Sequence, residues 1–174
     1  MKCINFPGYL GKKDNKNYCA LKKIFSNWEI ESVVTEYETK TPAEVIEEIG
    51  RILVSGRTVF VGQSLGGLIA NKLSLIFQIP CLLTNPVRTI SGVSVIDRRL
   101  FHPLLWTWLD TPCPCNRQAY VLTVAEDEVL GSSTDDEQRY GSVREVAGSH
   151  SNLKNLEFEL KLELTRLLKS KYIL

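Results

Sequence analysis

The sequence has few histidines, almost no net charge and no long uninterrupted apolar run, and each of these absences argues against a specialised class of protein. Only two histidines and one methionine occur in 174 residues, and 21 Lys and Arg nearly cancel 20 Asp and Glu. A net charge of +1 provides no broad field for nucleic acid or an anionic membrane surface, so neither is an expected partner. The apolar stretch 68–83 is interrupted by Asn71, Lys72, Gln78 and Pro80, which argues against a membrane span.

Cysteine is also sparse, and its number is odd. Five cysteines argue against a disulfide framework, and with no secretory signal pattern at the N-terminus they favour a reduced, cytoplasmic protein. Cys113 and Cys115 are the only close pair, and His102 is the only further ligand near them. A structural metal usually needs four ligands, so we expect neither a metal site nor a cofactor.

Strand-like and helical patterns alternate along the chain. This alternation predicts a compact α/β fold with a mostly parallel central sheet and helices on both faces. The length fits a single domain over residues 1–174. The expected strands cover residues 2–6, 30–37, 58–61, 79–84, 119–124 and 143–146.

Capping and periodicity patterns predict three of the helices. Thr41-Pro42-Ala43-Glu44 combines a capping Thr, a first-turn Pro and a Glu in capping-box position, and the buried stripe Val45, Ile46, Ile49, Ile52, Leu53 follows. The pattern 134–137 repeats the capping box before a short helix that we expect to stop at Gly141. From Asn152 onward a leucine stripe predicts a terminal helix. Packing on the sheet is favoured over dimerisation as a coiled coil, because the stripe has too few heptads.

The segment of about residues 86–118 is irregular, rich in proline, and holds two of the three tryptophans, Trp106 and Trp108. Two interpretations stay open for it. It is either a lid-like excursion over a pocket or a core-packing insertion with no ligand role.

Gly62-Gln63-Ser64-Leu65-Gly66 is the motif that bears most on function. A β-branched and aromatic run, 58–61, precedes this G-x-S-x-G pattern, and a helical pattern follows it. In such a strand-to-helix turn the serine hydroxyl is exposed at the top of a sheet as a nucleophile. The alternative is an ordinary turn whose serine caps the helix.

A nucleophilic serine needs a base, and only two histidines are available. His150 follows a predicted strand and precedes the last helix, which favours it over His102. The orienting acid should lie after the preceding strand, where residues 126–128 are all acidic, and the apolar pair beyond it favours Asp127. The order Ser64, Asp127, His150 is that of the α/β-hydrolases.

An oxyanion formed in such a site needs backbone N–H donors. Leu65, the residue after the nucleophile, is expected to provide one. A second should come from the turn after the first strand, at Tyr9 or Leu10, which Pro7-Gly8 begins.

In these segments the chain resembles the small YqiA-like esterases of the α/β-hydrolase superfamily. The match rests on residues 6–9, 62–67, 84–86, 127–130 and 148–150, in order along the chain. The Asp-Glu-Val-Leu segment raises Asp127 above its acidic neighbours. The family commonly has His-Gly where this chain has Pro7-Gly8, and segment 86–118 has no counterpart.

The expected function is therefore that of a serine hydrolase acting on a small-molecule carboxylic ester or thioester through an acyl-enzyme intermediate. An alternative is a protein-binding module of hydrolase type whose triad is little used. The sequence does not set the oligomeric state, the acyl-chain length or the leaving group.

Overall fold

The computed structural model describes residues 1–33, 39–53, 56–87, 103–110, 114–130 and 136–172. Within them a six-stranded sheet, all of whose paired strands are parallel, carries helices on both faces, which confirms the predicted fold class. The elements are β1 (Lys2–Phe6), α1 (Lys16–Ile24), β2 (Glu29–Ser32), α2 (Pro42–Ile52), β3 (Thr58–Gln63), α3 (Leu65–Phe77), β4 (Cys81–Thr84), α4 (Pro103–Leu109), β5 (Asn116–Thr123), α5 (Asp136–Arg139), β6 (Tyr140–Glu145), β7 (Gly148–Ser149), β8 (Asn152–Leu153) and α6 (Leu156–Tyr172).

The strand order β2-β1-β3-β4-β5-β6 reverses direction at β1. The chain leaves β1 toward one face through α1 and leaves the neighbouring β3 toward the other face through α3. The two connections diverge, so a crevice opens between them at the carboxyl ends of the strands. Open α/β sheets bind their ligands at such a switch point.

Two hydrophobic cores cover the two faces of the sheet. Side chains of α2, α3 and α4 pack on one face, and those of α1 and α6 pack on the other. Successive strand residues alternate between them, as Val59 and Phe60 do. The central strands are buried on both faces because both faces are covered.

The predicted start of α2 is confirmed. Thr41 Oγ1 accepts from the Glu44 N–H at 3.3 Å, and the Glu44 carboxylate accepts from the Thr41 N–H at 2.7 Å. This second bond, to the Thr41 backbone, is the main reason that the pKa of Glu44 lies below its ordinary value. The ionised carboxylate therefore stabilises the helix at neutral pH, and that contribution is lost as Glu44 is protonated in acid.

Several element boundaries differ from prediction near the end of the chain. β6 begins at Tyr140, three residues before the predicted strand at 143, and α5 ends at Arg139. The terminal helix begins at Leu156 rather than at 152, because residues 148–149 and 152–153 pair as an antiparallel hairpin. Short strands of two residues carry too little periodicity to be read from sequence. The predicted strand segment 34–37 and the cap at 134–135 lie outside the described residues.

The leucine stripe of α6 packs on the sheet, as the favoured interpretation predicted. Leu160, Leu164, Leu167 and Leu168 are buried in the same core as α1. A coiled coil through this stripe is wrong for this chain, because the leucines already have partners within the fold.

The described part of the excursion joins the core on the α3 side. Leu105 and Trp108 of α4 are buried there, the carbonyl of Trp108 accepts from Lys72 of α3, and Pro114 accepts from Asn71 at 3.1 Å. Residues 88–102 and 111–113, which include His102 and Cys113, lie outside the described residues. The described helix α4 therefore packs into the core.

The described residues contain neither a candidate membrane span nor a candidate metal cluster. None of their helices has the length and apolar character needed to cross a membrane. No group of three or more His, Cys, Asp or Glu side chains in the same ranges is placed to hold a metal ion.

Candidate active site

Ser64 lies between β3 and α3 in a strained backbone conformation, with φ 53° and ψ −119°. A non-glycine residue held there costs on the order of 1–3 kcal/mol, so the surrounding structure must enforce it. The Ser64 N–H donates to the Thr84 carbonyl, and the Ser64 carbonyl accepts from the Val87 N–H, at 3.0 Å each. The hydroxyl makes no capping bond to the helix, so the helix-cap interpretation is wrong.

The glycines of the motif allow the backbone to pass close to its neighbours. A Cβ on Gly66 would collide with the carbonyl oxygens of Phe6 and Pro7, and a Cβ on Gly62 would collide with the Gly66 carbonyl. The turn that exposes Ser64 therefore packs directly against the end of β1. This contact places the loop after β1 beside Ser64.

We expect Gly66→Ala to lower the free energy of unfolding by about 1–3 kcal/mol, or more, because backbone atoms must move to accept the methyl group. Gly50→Ala is the matched control. Gly50 lies within α2, and a Cβ there meets only ring atoms of Phe77, from α3, at 3.7 Å or more, so the substitution should stabilise by roughly 0.5–1 kcal/mol. Urea denaturation of both variants measures the difference, and equal stabilities would contradict the close-packing account.

His150 occupies the two-residue loop of the β7–β8 hairpin, beyond the end of β6. Gly148 makes this hairpin possible, with φ 143° and no room for a Cβ beside the Asn152 carbonyl. His150 itself is only 7% exposed. The hairpin therefore carries the imidazole back over the carboxyl ends of the strands.

Asp127 is turned inward, and its two carboxylate oxygens have different partners. Oδ1 accepts from the N–H groups of Val129 and Leu130, at 2.9 and 2.8 Å. This local turn fixes the carboxylate and leaves Oδ2 for a partner across the site. Asp127 is 5% exposed, whereas Glu126 and Glu128 are exposed, as the apolar pair after Asp127 predicted.

The three predicted triad residues come together in one hydrogen-bonded row. His150 Nε2 lies 2.8 Å from Ser64 Oγ, and His150 Nδ1 lies 2.7 Å from Asp127 Oδ2. The residues are separated by 63 and 23 positions in sequence (127 − 64 and 150 − 127). With Asp127 accepting a hydrogen bond from Nδ1–H, Nε2 is left to accept a hydrogen bond from the Ser64 hydroxyl.

The two segments predicted to supply oxyanion donors adjoin the same serine. Leu65 begins α3, and the first N–H groups of a helix have no intrahelical acceptor and carry its positive dipole end. The turn 8–11, closed by a 2.9 Å bond from Gly11 N–H to the Gly8 carbonyl, passes so close that a Cβ on Gly8 would lie 3.3 Å from Ser64 Cβ. Tyr9 and Leu10 are in that turn; Tyr9 is half-buried, and Leu10, with φ 56°, is 81% exposed.

Two further side chains contact the main chain of His150, and sequence reasoning singled out neither of them. Asn85 Nδ2 donates to the His150 carbonyl at 2.7 Å, and the His150 N–H donates to both oxygens of Glu128, at 3.0 and 2.9 Å. Both residues lie in segments that carry the resemblance, 84–86 and 127–130, but the resemblance assigned no role to either of them. Both contacts are long-range in sequence, so no local pattern reveals them.

The sheet order, the strained turn after β3 and the helices on both faces define the α/β-hydrolase fold. No protein-family model matches the sequence, and a search of the curated proteins finds no match. Solved structures do match over nearly the whole chain. Mouse alpha/beta hydrolase domain-containing protein 10 is 15% identical with a TM-score of 0.72, covering 97% of this chain and 90% of its own.

Two further solved structures are similar over nearly the whole chain. Est1E of Butyrivibrio proteoclasticus, in a structure with ferulic acid bound, is 12% identical with a TM-score of 0.68, and the match covers 97% of this chain and 88% of Est1E. Human thioesterase 2 is 13% identical with a TM-score of 0.64, and the match covers 98% of this chain and 97% of that chain. At these identities the likeness establishes a shared fold.

Proposed function

We propose that this protein is a serine hydrolase that cleaves a small-molecule carboxylic ester or thioester. The observation that carries the proposal is the row Ser64 Oγ, His150 Nε2 and Nδ1, Asp127 Oδ2, with both distances below 3 Å. The row lies at the switch point of the sheet, where ligands bind in this architecture. The resemblance of the site segments to the YqiA-like esterases supports the same function.

In the proposed reaction Ser64 Oγ attacks the acyl carbon while His150 Nε2 takes the hydroxyl proton. Asp127 holds the imidazole in orientation and stabilises the imidazolium. The N–H of Leu65 and one from the Tyr9–Leu10 turn stabilise the oxyanion. His150 then returns the proton to the leaving alcohol or thiol, and water attacks the acyl-enzyme by the same route to release the acid and regenerate Ser64.

A fluorophosphonate probe tests this proposal, because it forms a covalent bond only with an activated serine. We expect the wild-type protein to be labelled on Ser64 and Ser64→Ala to remain unlabelled. Ser26→Ala, which removes an exposed serine away from the site, is the matched control and should label like wild type. Intact-mass measurement and peptide mapping give the readout.

Absence of labelling in correctly folded wild-type protein would contradict the hydrolase proposal. It would favour a binding module that retains the triad without using it. A screen of acyl esters and thioesters of increasing chain length would then establish the substrate range of a labelled protein.

A further inference from the structure

We propose that Glu128 and Asn85 are positioning residues that hold the main chain of His150 from its two sides, an inference that rests on the proposed function. The His150 N–H donates to the Glu128 carboxylate, and the His150 carbonyl accepts from the Asn85 amide. The two peptide groups that flank the His150 Cα are thus each bound by a side chain from a different strand end.

His150 needs such support because of where it lies. The β7–β8 hairpin has two residues in each strand, and an isolated hairpin of that size has little stability of its own. The imidazole is hydrogen-bonded to Ser64 and Asp127, and both of these contacts are used in the proposed reaction. The position of the His150 backbone therefore sets the distance between Nε2 and the Ser64 hydroxyl.

Asn85 is built to hold one amide orientation. It is fully buried, with φ 43°, a left-handed conformation that asparagine tolerates better than most residues. Its Oδ1 accepts from the Val124 N–H at 3.0 Å, and its own N–H donates to the Leu122 carbonyl at 2.8 Å. With the oxygen bound to the Val124 N–H, just beyond β5, the Nδ2 group is directed toward the His150 carbonyl, and it also has a longer contact of 3.4 Å with the Ser149 carbonyl.

Glu128 belongs to the same loop as Asp127. This single loop after β5 thus holds the imidazole ring through Asp127 and the backbone of the same residue through Glu128. Glu128 is exposed, so its truncation leaves no buried cavity. It provides the cleaner test of the two positioning residues.

The first test measures kcat and KM on p-nitrophenyl acetate, together with the rate of fluorophosphonate labelling. Glu128→Ala should lower kcat and the labelling rate by roughly 10- to 100-fold, the scale of an ångström-sized misplacement, with KM nearly unchanged. Glu128→Gln should recover most of the loss, because its amide oxygen still accepts from the His150 N–H. Glu126→Ala removes a neighbouring exposed carboxylate and should behave like wild type.

The second test compares two backgrounds. In Asp127→Ala protein the ring orientation is already lost, so adding Glu128→Ala should cost far less than it does in wild type, whereas a role in folding alone would cost the same factor in both. Asn85→Asp, which keeps the acceptor for Val124 and loses the donor to His150, should lower kcat in the same way. Thermal unfolding of this buried variant verifies that it is folded.

The outcomes separate the two proposals. A wild-type protein that does not label on Ser64 overturns the proposed function. A wild-type protein that labels, together with Glu128→Ala that labels at the same rate, overturns the positioning role alone. Equal impairment of Glu128→Gln and Glu128→Ala would also overturn it.

Discussion

His150→Ala is expected to lower kcat on an activated ester by about 10⁶-fold, as much as Ser64→Ala. Residues that act as one catalytic unit lose nearly all of their joint rate enhancement when an essential member is removed. His150 Nε2, at 2.8 Å, is the described group placed to accept the Ser64 proton. The double variant Ser64→Ala/His150→Ala should be no slower than either single variant.

The chain offers a matched control for this prediction in its second histidine. His102→Ala, at a position outside the described residues, should retain wild-type kcat. A large loss in His102→Ala with little loss in His150→Ala would contradict the assignment of the base. Steady-state kinetics of the three variants and the double variant make the comparison.

Asp127→Asn is expected to lower kcat by about 10⁴-fold. An amide oxygen can still accept from the Val129 and Leu130 N–H groups, so the local turn is retained. The amide NH₂ then faces His150 Nδ1, which favours the imidazole tautomer with its proton on Nε2. In that tautomer the ring cannot accept the Ser64 proton, and no carboxylate remains to stabilise an imidazolium.

Glu126→Gln is the control for this second prediction, because it removes the same charge from an exposed neighbour. It should leave kcat unchanged. A loss of about 10⁴-fold at Glu126 or Glu128, with Asp127→Asn active, would contradict the choice of acid. Equal unfolding midpoints of Asp127→Asn and wild type would assign the loss to chemistry rather than to stability.

Much of the fold followed from local patterns. The capping box at Thr41, the stripe through Val45 and Ile49, and the leucines of α6 are short-range signals whose physical cause is local hydrogen bonding or one-sided burial. The predicted boundaries were wrong where elements are very short or depend on pairing with distant strands. The β7–β8 hairpin and the early start of β6 at Tyr140 are the clear cases.

The residues of the candidate site divide in the same way. Ser64 carries a motif, His150 has one rival, and Asp127 was separated from two acidic neighbours by the apolar pair that follows it. Asn85 and Glu128 lie in two of the segments that carry the resemblance, but no pattern singled them out, because an amide or a carboxylate gains its role from the backbone group it meets. Both of them meet His150, 65 and 22 residues away.

By itself, the sequence determined the alternation of strands and helices, the serine at a strand-to-helix turn and the order of the three residues along the chain. Tertiary structure alone decided that Ser64, His150 and Asp127 lie within hydrogen-bond distance, and that α4 packs into the core beside α3. It also decided which side chains hold the histidine backbone. The physical reason is range, since local propensities depend on residues within a few positions whereas the site is assembled at the ends of strands that only the folded sheet brings together.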